Sequence, residues 1–358
     1  MTRFWRLFLR RPIAMMALAV LLVLYLGMAF CEFLAPYDPN QLFEHHSNIP
    51  PNLSWQSSTL GFGPQIQKME MINAESSEYA RVKGQYSRVV LFPEGAEVKL
   101  WGLIPIRHHL FGSLAVTSQV AEPVFLFGSD NLGRDIFSRV LYGSRISLTI
   151  GFVGVTISLF LALLFGGLAG YFGGIWDWII MRLCEFIILI PGLYLILFLR
   201  SILSDHLDSG QSYALITVIL SFVGWPGTAR MIRGMVHAIK RNDFVANAEL
   251  ESMPPFPIIF RHIVPQMSSI LIISVTLGVP GFILGETVLS YLGLGIVDPA
   301  VSWGSLISRD AVSVSNLVAF PWLFAPGVFL VLVTLSFNFL GELLRDLFDP
   351  NWKEGGNG

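Results

Sequence analysis

Residues 12–31 read PIAMMALAVLLVLYLGMAFC, an unbroken apolar run closed by Arg11 on one side and Glu32 on the other. A bilayer's hydrocarbon core takes about 20 mostly apolar residues in a helix, so this stretch is long enough to cross it. Outward from it, five further runs meet or approach the same requirement. They lie between Arg145 and Asp177, Arg182 and Arg200, Asp208 and Arg230, His262 and about Glu286, and from near Leu317 to Glu342. Such runs are too long for barrel strands, and only helices or closed barrels satisfy backbone polar groups in lipid. The predicted fold class is all-α integral membrane, with about six transmembrane helices. Composition agrees, since 53% of the 358 residues are hydrophobic, 13% are charged and mean hydropathy is +0.63. A soluble domain carries about 25% charged residues, so an ordinary soluble enzyme is excluded. Apolar abundance with a net charge of −2 excludes disorder and gives nucleic-acid binding no support. Cys31 and Cys184 both lie in apolar stretches, which disfavours a disulfide scaffold or a thiolate metal site.

Orientation follows the lysine and arginine bias of short flanks and loops. Arg3, Arg6, Arg10 and Arg11 precede the first run, and Arg230, Arg233, Lys240, Arg241 and Arg261 follow the fourth. Arg345 and Lys353 follow the sixth, whereas the opposite side has little beyond Arg200 and Arg309. Both termini are expected to be cytoplasmic, as an even helix count requires. The first run is longer than a signal-peptide core and no A-x-A site follows it, so it reads as an uncleaved anchor.

Residues 35–140 then lie outside. Within them Ser87–Phe92 and Glu97–Trp101 are strand-like, and Pro93-Glu94-Gly95-Ala96 between them has turn chemistry, which predicts a small β-hairpin. Two histidine pairs, His45-His46 and His108-His109, read as exposed loop residues rather than a metal site, because neighbours within a pair converge poorly on one ion.

Catalytic signatures are missing: there is no G-x-x-x-x-G-K-[ST], H-E-x-x-H, G-x-S-x-G or C-x-x-C. Charges inside the runs are sparse, chiefly Glu185 and Glu286, both read as interfacial anchors more readily than as translocation groups. The most informative polar stretch is Arg230–Gln266. Its DFVANAELESM, residues 243–253, reads as a short helix with Asp243 near its N-terminus, stopped by Pro254-Pro255. PIIFRHIVPQ then leads into the fifth run. Apolar Phe244, Val245, Leu250 and Phe256 need cover, from a partner's groove, the chain's own bundle or the lipid interface. The second run carries a G-x-x-x-G at 166–170, read equally as static packing or as a sliding seam. Pro280-Gly281 predicts a bend, and Asn338 in the sixth run predicts a hydrogen bond across helices.

These residues carry a resemblance. Asp243–Gln266, ending in FRHIVPQ (260–266), resembles the cytoplasmic coupling motif of ABC-importer permeases. APYDPN (35–40), GSDNLGRDIFSRVLYGSRISL (128–148), GLAGYFGG (167–174), GWPGTARMIRG (224–234), ETVLSYLGLG (286–295), SWGSLI (302–307) and FNFLGELLRDLFDPNW (337–352) narrow it to the C-type subunit of the oligopeptide/dipeptide/nickel permeases. Two positions depart: Ala246 stands where the motif has glutamate and Ser252 where it has glycine, while Ala248 keeps the second alanine. Serine takes positive φ less readily than glycine.

The resemblance implies a heteromeric importer with a second homologous permease, two cytoplasmic ABC ATPases and an extracytoplasmic solute-binding protein. No cofactor is expected on this chain, with ATP and magnesium bound by the ATPases. It further implies an ATPase-coupling interface at Asp243, Phe244, Val245, Ala246, Ala248, Leu250, Ser252, Phe256, Arg261 and His262. Pro280, Gly281, Glu286 and Asn338 are candidate pore or gating residues. The implied organisation is residues 1–34 as N-terminus and first helix, 35–140 as external segment, 141–342 as permease core with coupling helices at about 241–262, and 343–358 as cytoplasmic tail. The expected cargo is oligopeptides or dipeptides; nickel, another small solute, or a stand-alone secondary transporter are the alternatives.

Overall fold

The computed structural model describes residues 11–57, 61–73, 77–116, 121–203, 208–296, 298–310 and 314–348. Arg3, Arg6, Arg10 and Lys353 lie outside these, as do residues 349–358 of the expected tail and the side chains of Arg200 and Arg309. The helices are α1 (Pro12–Ala29), α2 (Cys31–Leu34), α3 (Ile136–Phe172), α4 (Gly174–Leu189), α5 (Gly192–Leu203) and α6 (Ser209–Ile239). They continue as α7 (Asp243–Leu250), α8 (Ser268–Tyr291), α9 (Trp303–Asp310), α10 (Val314–Ala319) and α11 (Ala325–Phe348).

Among the described residues, five helical runs are long and apolar enough to span a membrane, and a sixth is present if α4 and α5 form one bent span. The expected count therefore holds, but the third span is not straight. It turns by 92° at the break before Gly192. Pro191 causes the turn: the residue before a proline is pushed out of the helical region, and Ile190 is extended at φ −78°, ψ 124°. Other boundaries shift as well. α3 begins at Ile136, before Arg145, because Asp135 caps it by accepting from the Ser138 N–H at 2.8 Å. α6 carries Arg230 and Arg233 inside it and ends at Ile239, so the connection to α8 begins only at Lys240.

The chain forms two compact units. The first comprises Met1–Leu21, Thr149–Glu286 and Val333–Gly358. In it the 166–170 glycines bring α3 close to α6. A Cβ on Gly166 would meet the Ala229 carbonyl oxygen at 2.5 Å, and one on Gly170 the Arg233 carbonyl at 2.7 Å. That is the tight packing small residues permit in lipid. Ser221 adds a hydroxyl bond to the Gly154 carbonyl at 3.0 Å. Arg11 and Asp346 pair at 2.6 Å, joining the start of α1 to the end of α11. Those two helix ends therefore lie on one side of the unit.

The second unit comprises Leu22–Leu148 and Thr287–Leu332. Its strands are β1 (Leu53–Ser57), β2 (Gly61–Asn73), β3 (Glu78–Leu91), β4 (Glu94–Leu100), β5 (Ile104–His108) and β6 (Phe111–Ala115). They make an antiparallel sheet of order β1-β2-β3-β6 and a separate β4-β5 hairpin. A hairpin is present as expected, but its strands are paired differently. Ser87–Leu91 pairs with β2 and β6, while Val98 faces Ile106 and Leu100 faces Ile104. β3 has both edges occupied, by the preceding strand β2 and by β6, so it is not available to β4. His109 is buried and His46 half-buried, 3.8 Å from Glu122, unlike the exposed loop histidines expected.

A buried ionic cluster orders the entry to α3. Arg134 lies 2.6 Å and Arg139 3.7 Å from Asp130, and all three are shielded from solvent. Asp298 stands 3.6 Å from Arg134 and 3.9 Å from Arg139.

Candidate functional site

The stretch from Lys240 to Met267 is held to the first unit by a few apolar residues. Val245 and Ala248 of α7 are buried in a core shared with Trp225, Ala229, Ile232 and Val236 of α6. Three apart on a helix, they share one face. Asp243 opens the helix after Asn242 and is exposed, which suits an acid in a helical first turn.

The end of α7 explains the departure at Ser252. Met253 N–H donates to the Ala248 carbonyl at 3.1 Å and Ser252 N–H to the Glu249 carbonyl at 3.0 Å. This is the Schellman arrangement, whose residue after the cap sits in the left-handed region, usually as glycine. Ser252 occupies it at φ 58°. Met253 packs on the core that contains Ala248, the apolar contact that accompanies this motif. The turn is thus imposed by the motif, with Pro254-Pro255 preventing continuation of the helix.

Beyond it, Pro255–Pro257 is a single helical turn, Ile258–Ile263 a π-helical stretch and Val264–Met267 a 3₁₀ turn leading into α8. Ile258, Ile259, Ile263 and Met267 are buried, pinning this irregular backbone. π-Helical turns are rare and concentrate at functional positions.

Polar ties, unforeseen from the sequence, anchor the segment at its edges. The Tyr171 hydroxyl donates to Glu249 at 2.8 Å, and Lys240 Nζ donates to the Tyr171 carbonyl at 2.8 Å while lying over its ring. Just before the segment, Arg233 of α6 grips Asp177 of α4 through Nε at 2.8 Å and through a second guanidinium nitrogen. These pairs join residues 56–78 positions apart, and no local pattern announces them.

The remaining candidates divide. Phe244, Ala246, Leu250, Ser252, Phe256 and Arg261 are exposed, with Leu250 at 82% and Phe256 at 51%. Phe260, which sequence reasoning passed over, is exposed four residues after Phe256 and so on the same helical face. Val245 does not belong to that surface. His262 is half-buried, with Nε2 shielded and unbonded among the described residues.

Of the four pore candidates, Pro280 is buried within an α8 that continues through it, and Gly281 is exposed with open space before it. Glu286 is fully buried, which replaces the interfacial-anchor reading. Glu185 is partly exposed and pairs with Arg182 at 2.7 Å. Asn338 is exposed on α11, so the expected cross-helix bond is not formed among the described residues.

Residues 162–354 match the family described as binding-protein-dependent transport system inner membrane component. The chain belongs to that family. Residues 1–51 match a second family, the N-terminal TM domain of oligopeptide transport permease C. The oligopeptide transport system permease protein OppC of Haemophilus influenzae is 36% identical over 230 residues, 64% of this chain and 71% of that one. The dipeptide transport system permease protein DppC of Bacillus subtilis is 37% identical over 226 residues, 63% and 68% respectively. OppC of Escherichia coli K12 is 38% identical over 225 residues, 63% and 72%. The inward-facing MetNI methionine ABC transporter matches at 16% identity and TM-score 0.46, over 60% of this chain and 98% of that one.

This binding-protein-dependent permease is a multi-pass membrane protein, and its family is a non-catalytic importer component. The 240–267 stretch lies wholly inside the matched 162–354, whereas the strands from Leu53 to Ala115 lie outside both matched regions.

Proposed function

We propose that the chain is a pore-forming subunit of an ATP-driven importer, passing oligopeptides or dipeptides delivered by an external binding protein. The observation that carries the reading is an exposed apolar surface on the 240–267 segment, which a few buried residues hold to the helices. Phe244, Leu250, Phe256 and Phe260 stand outward while Val245, Ala248 and Ile259 hold the backbone beneath them. Apolar anchors on a short helix fit a groove in a partner protein, here a cytoplasmic ATPase. The ATPases bind and hydrolyse ATP with magnesium, and this chain holds neither. Peptide cargo rests on the names of the relatives. Both termini and the 240–267 segment face the cytoplasm of a bacterial inner membrane, a placement supported by the Arg11–Asp346 pair between the two chain ends.

A second, homologous permease completes the path. Asn338, exposed among apolar Val331, Leu335 and Phe339 of α11, is costly against lipid and suits a protein or aqueous surface. Motion of the docked ATPases would rock the bundle between outward- and inward-open states through a bistable packing.

The test is Leu250→Asp with Phe256→Asp. The expected double variant inserts and keeps its thermal midpoint but no longer pulls down the ATPases. Wild-type recovery of both ATPases would sink the docking assignment.

A further inference from the structure

The β4-β5 hairpin has no part in the function proposed above, and its polarity is graded along its length. Its outer end carries Glu97 and Arg107, paired at 3.1 Å. Its tip is Leu100-Trp101-Gly102-Leu103-Ile104, without a charge. Leu103 is 81% and Ile104 60% exposed, and Trp101 is also exposed. The turn is tight: Leu103 N–H donates to the Leu100 carbonyl at 3.0 Å, with positive φ at Trp101 (51°) and Gly102 (73°). Positive φ at both central positions is the mirror-image turn that matches strand twist, so the tip is a shaped element.

The tip is also fixed in height. Trp101 Nε1 donates to the Ala29 carbonyl at 2.9 Å, at the last residue of the spanning helix α1. The Trp101 backbone N–H donates to Glu32 at 3.0 Å. Arg145 makes two 2.8 Å bonds to the same carboxylate and lies 3.9 Å over the indole ring. Tryptophan and arginine at the end of a spanning helix are the chemistry of the headgroup level. Two and three residues past Trp101, across the same tight turn, the uncharged side chains of Leu103 and Ile104 are exposed.

Behind the tip, an apolar cavity of about 850 Å³ runs from the hairpin to the helices. Leu100 and Ile106 of the hairpin, Leu26 and Phe30 at the end of α1, and Phe137 and Leu141 of α3 line it. Leu26 and Phe30 are also exposed at the open side of this cavity. The cavity is thus continuous with a helix surface whose composition suits lipid.

We propose that the β4-β5 tip is a membrane-inserted anchor, with Trp101, Leu103 and Ile104 in the leaflet on the hairpin's side. An acyl chain of a phospholipid from that leaflet occupies the cavity behind it. The inference rests on α1 spanning the bilayer and not on the cargo or the ATPases. Three exposed apolar side chains give modest affinity alone, as for other interfacial elements; covalent attachment through α1 makes the insertion local and persistent.

The test uses the full chain, assembled with its partners and reconstituted in phosphatidylcholine vesicles. An environment-sensitive fluorophore is placed at Leu103→Cys or, as the control at the hairpin's outer end, Arg107→Cys, in a Cys31→Ala, Cys184→Ala background. Doxyl-labelled phosphatidylcholine is expected to quench the Leu103 site several-fold more than the Arg107 site, and aqueous iodide to show the reverse order. Equal iodide access at both sites would overturn the proposal in favour of a solvent-exposed tip. Protection of Leu103 from both quenchers would overturn it in favour of a protein partner. A second measurement needs no substitution: phosphatidylcholine with a photoactivatable group in its acyl chain should cross-link the native protein within residues 98–106 or 23–34. Cross-links confined to other spanning segments would refute acyl-chain occupancy.

Discussion

Two segments that do not cross the membrane, 240–267 between α6 and α8 and 35–135 between α1 and α3, are secured in opposite ways. The first is held by burial. Val245, Ala248, Ile258, Ile259 and Ile263 sink into a helical core, and its polar ties stand at the margin. The second has a small apolar cluster around Ile49, Met69 and Phe125, and its ties to the helices are backbone pairing and charge. Its sheet joins strands from Leu53 to Ala115, and its junctions are Glu32–Arg145 and Asp130–Arg134–Arg139. Burial is non-directional and roughly proportional to area, so a segment held that way has its freedom limited by fit. Ionic and hydrogen-bonded junctions are directional and depend on protonation. The difference makes the first segment suited to carrying a push and the second to holding a fixed posture.

The sharpest way to break that comparison is a charge on the buried side of the first segment. Val245→Asp places a carboxylate where the side chain is fully shielded. An unpaired buried charge is strongly destabilising, on the order of 3–5 kcal/mol when a partner is missing. The expected result is loss of a cooperative thermal transition and of ATPase recovery together. Leu250→Asp, five residues on at an exposed position, should lose only the recovery. If the two behave alike, α7 is not anchored through Val245.

A middle-sized effect probes the second segment. Burial pushes the Asp135 carboxyl up to about 7, against the opposing bonds from Ser138 and Phe137. Its second oxygen is shielded and has no partner among the described residues, so nothing there compensates a negative charge. The sign follows from linkage. With the folded pKa above the unfolded value of about 3.9, stability is full below pH 4 and falls as pH rises through about 7. Asp135→Asn keeps a capping acceptor for the Ser138 N–H and cannot ionise. The variant's melting temperature should stay flat from pH 4 to 8 in this contribution, while the wild type declines by several degrees. Parallel curves would show that Asp135 does not carry the difference.

What was legible beforehand follows the same division. The spans declared themselves because about 20 apolar residues between charges have one physical reading. Asp243 through Pro255 was legible as a helix and its stop, because those signals act within a few residues. Which of its apolar residues faces inward is not, because Phe244, Val245, Leu250 and Phe256 look alike in sequence and only Val245 is buried. Glu97–Trp101 was recognisable as a strand, but its partner was not, because pairing depends on what already occupies the neighbouring edge. The bend before Gly192 was within reach, since Pro191 stands inside an apolar run in plain view. Its size, 92°, depends on packing that no local rule contains. Glu249–Tyr171 and Glu32–Arg145 lie beyond any local pattern, separated by 78 and 113 residues.

The smallest predicted effect sharpens the account of the first segment at its one strained backbone position. Ser252 holds φ 58° to close the Schellman turn that sends the chain from α7 into the π-helical stretch. A Cβ in the left-handed region costs roughly 1–2 kcal/mol, a cost glycine avoids. Glycine also gives the unfolded chain more freedom, which takes back part of that gain. Ser252→Gly should therefore stabilise by about 1 kcal/mol or less, read as a small upward shift in the thermal midpoint. Ser252→Val should shift it down further than glycine raises it, because a β-branched residue tolerates positive φ worst. Asn, which enters the left-handed region more readily than most residues, should stay near the serine value. This ordering separates strain at the turn from a role for the hydroxyl. If glycine destabilises as much as valine does, the hydroxyl itself secures the turn, and the prolines that follow it are not enough to hold the chain on course.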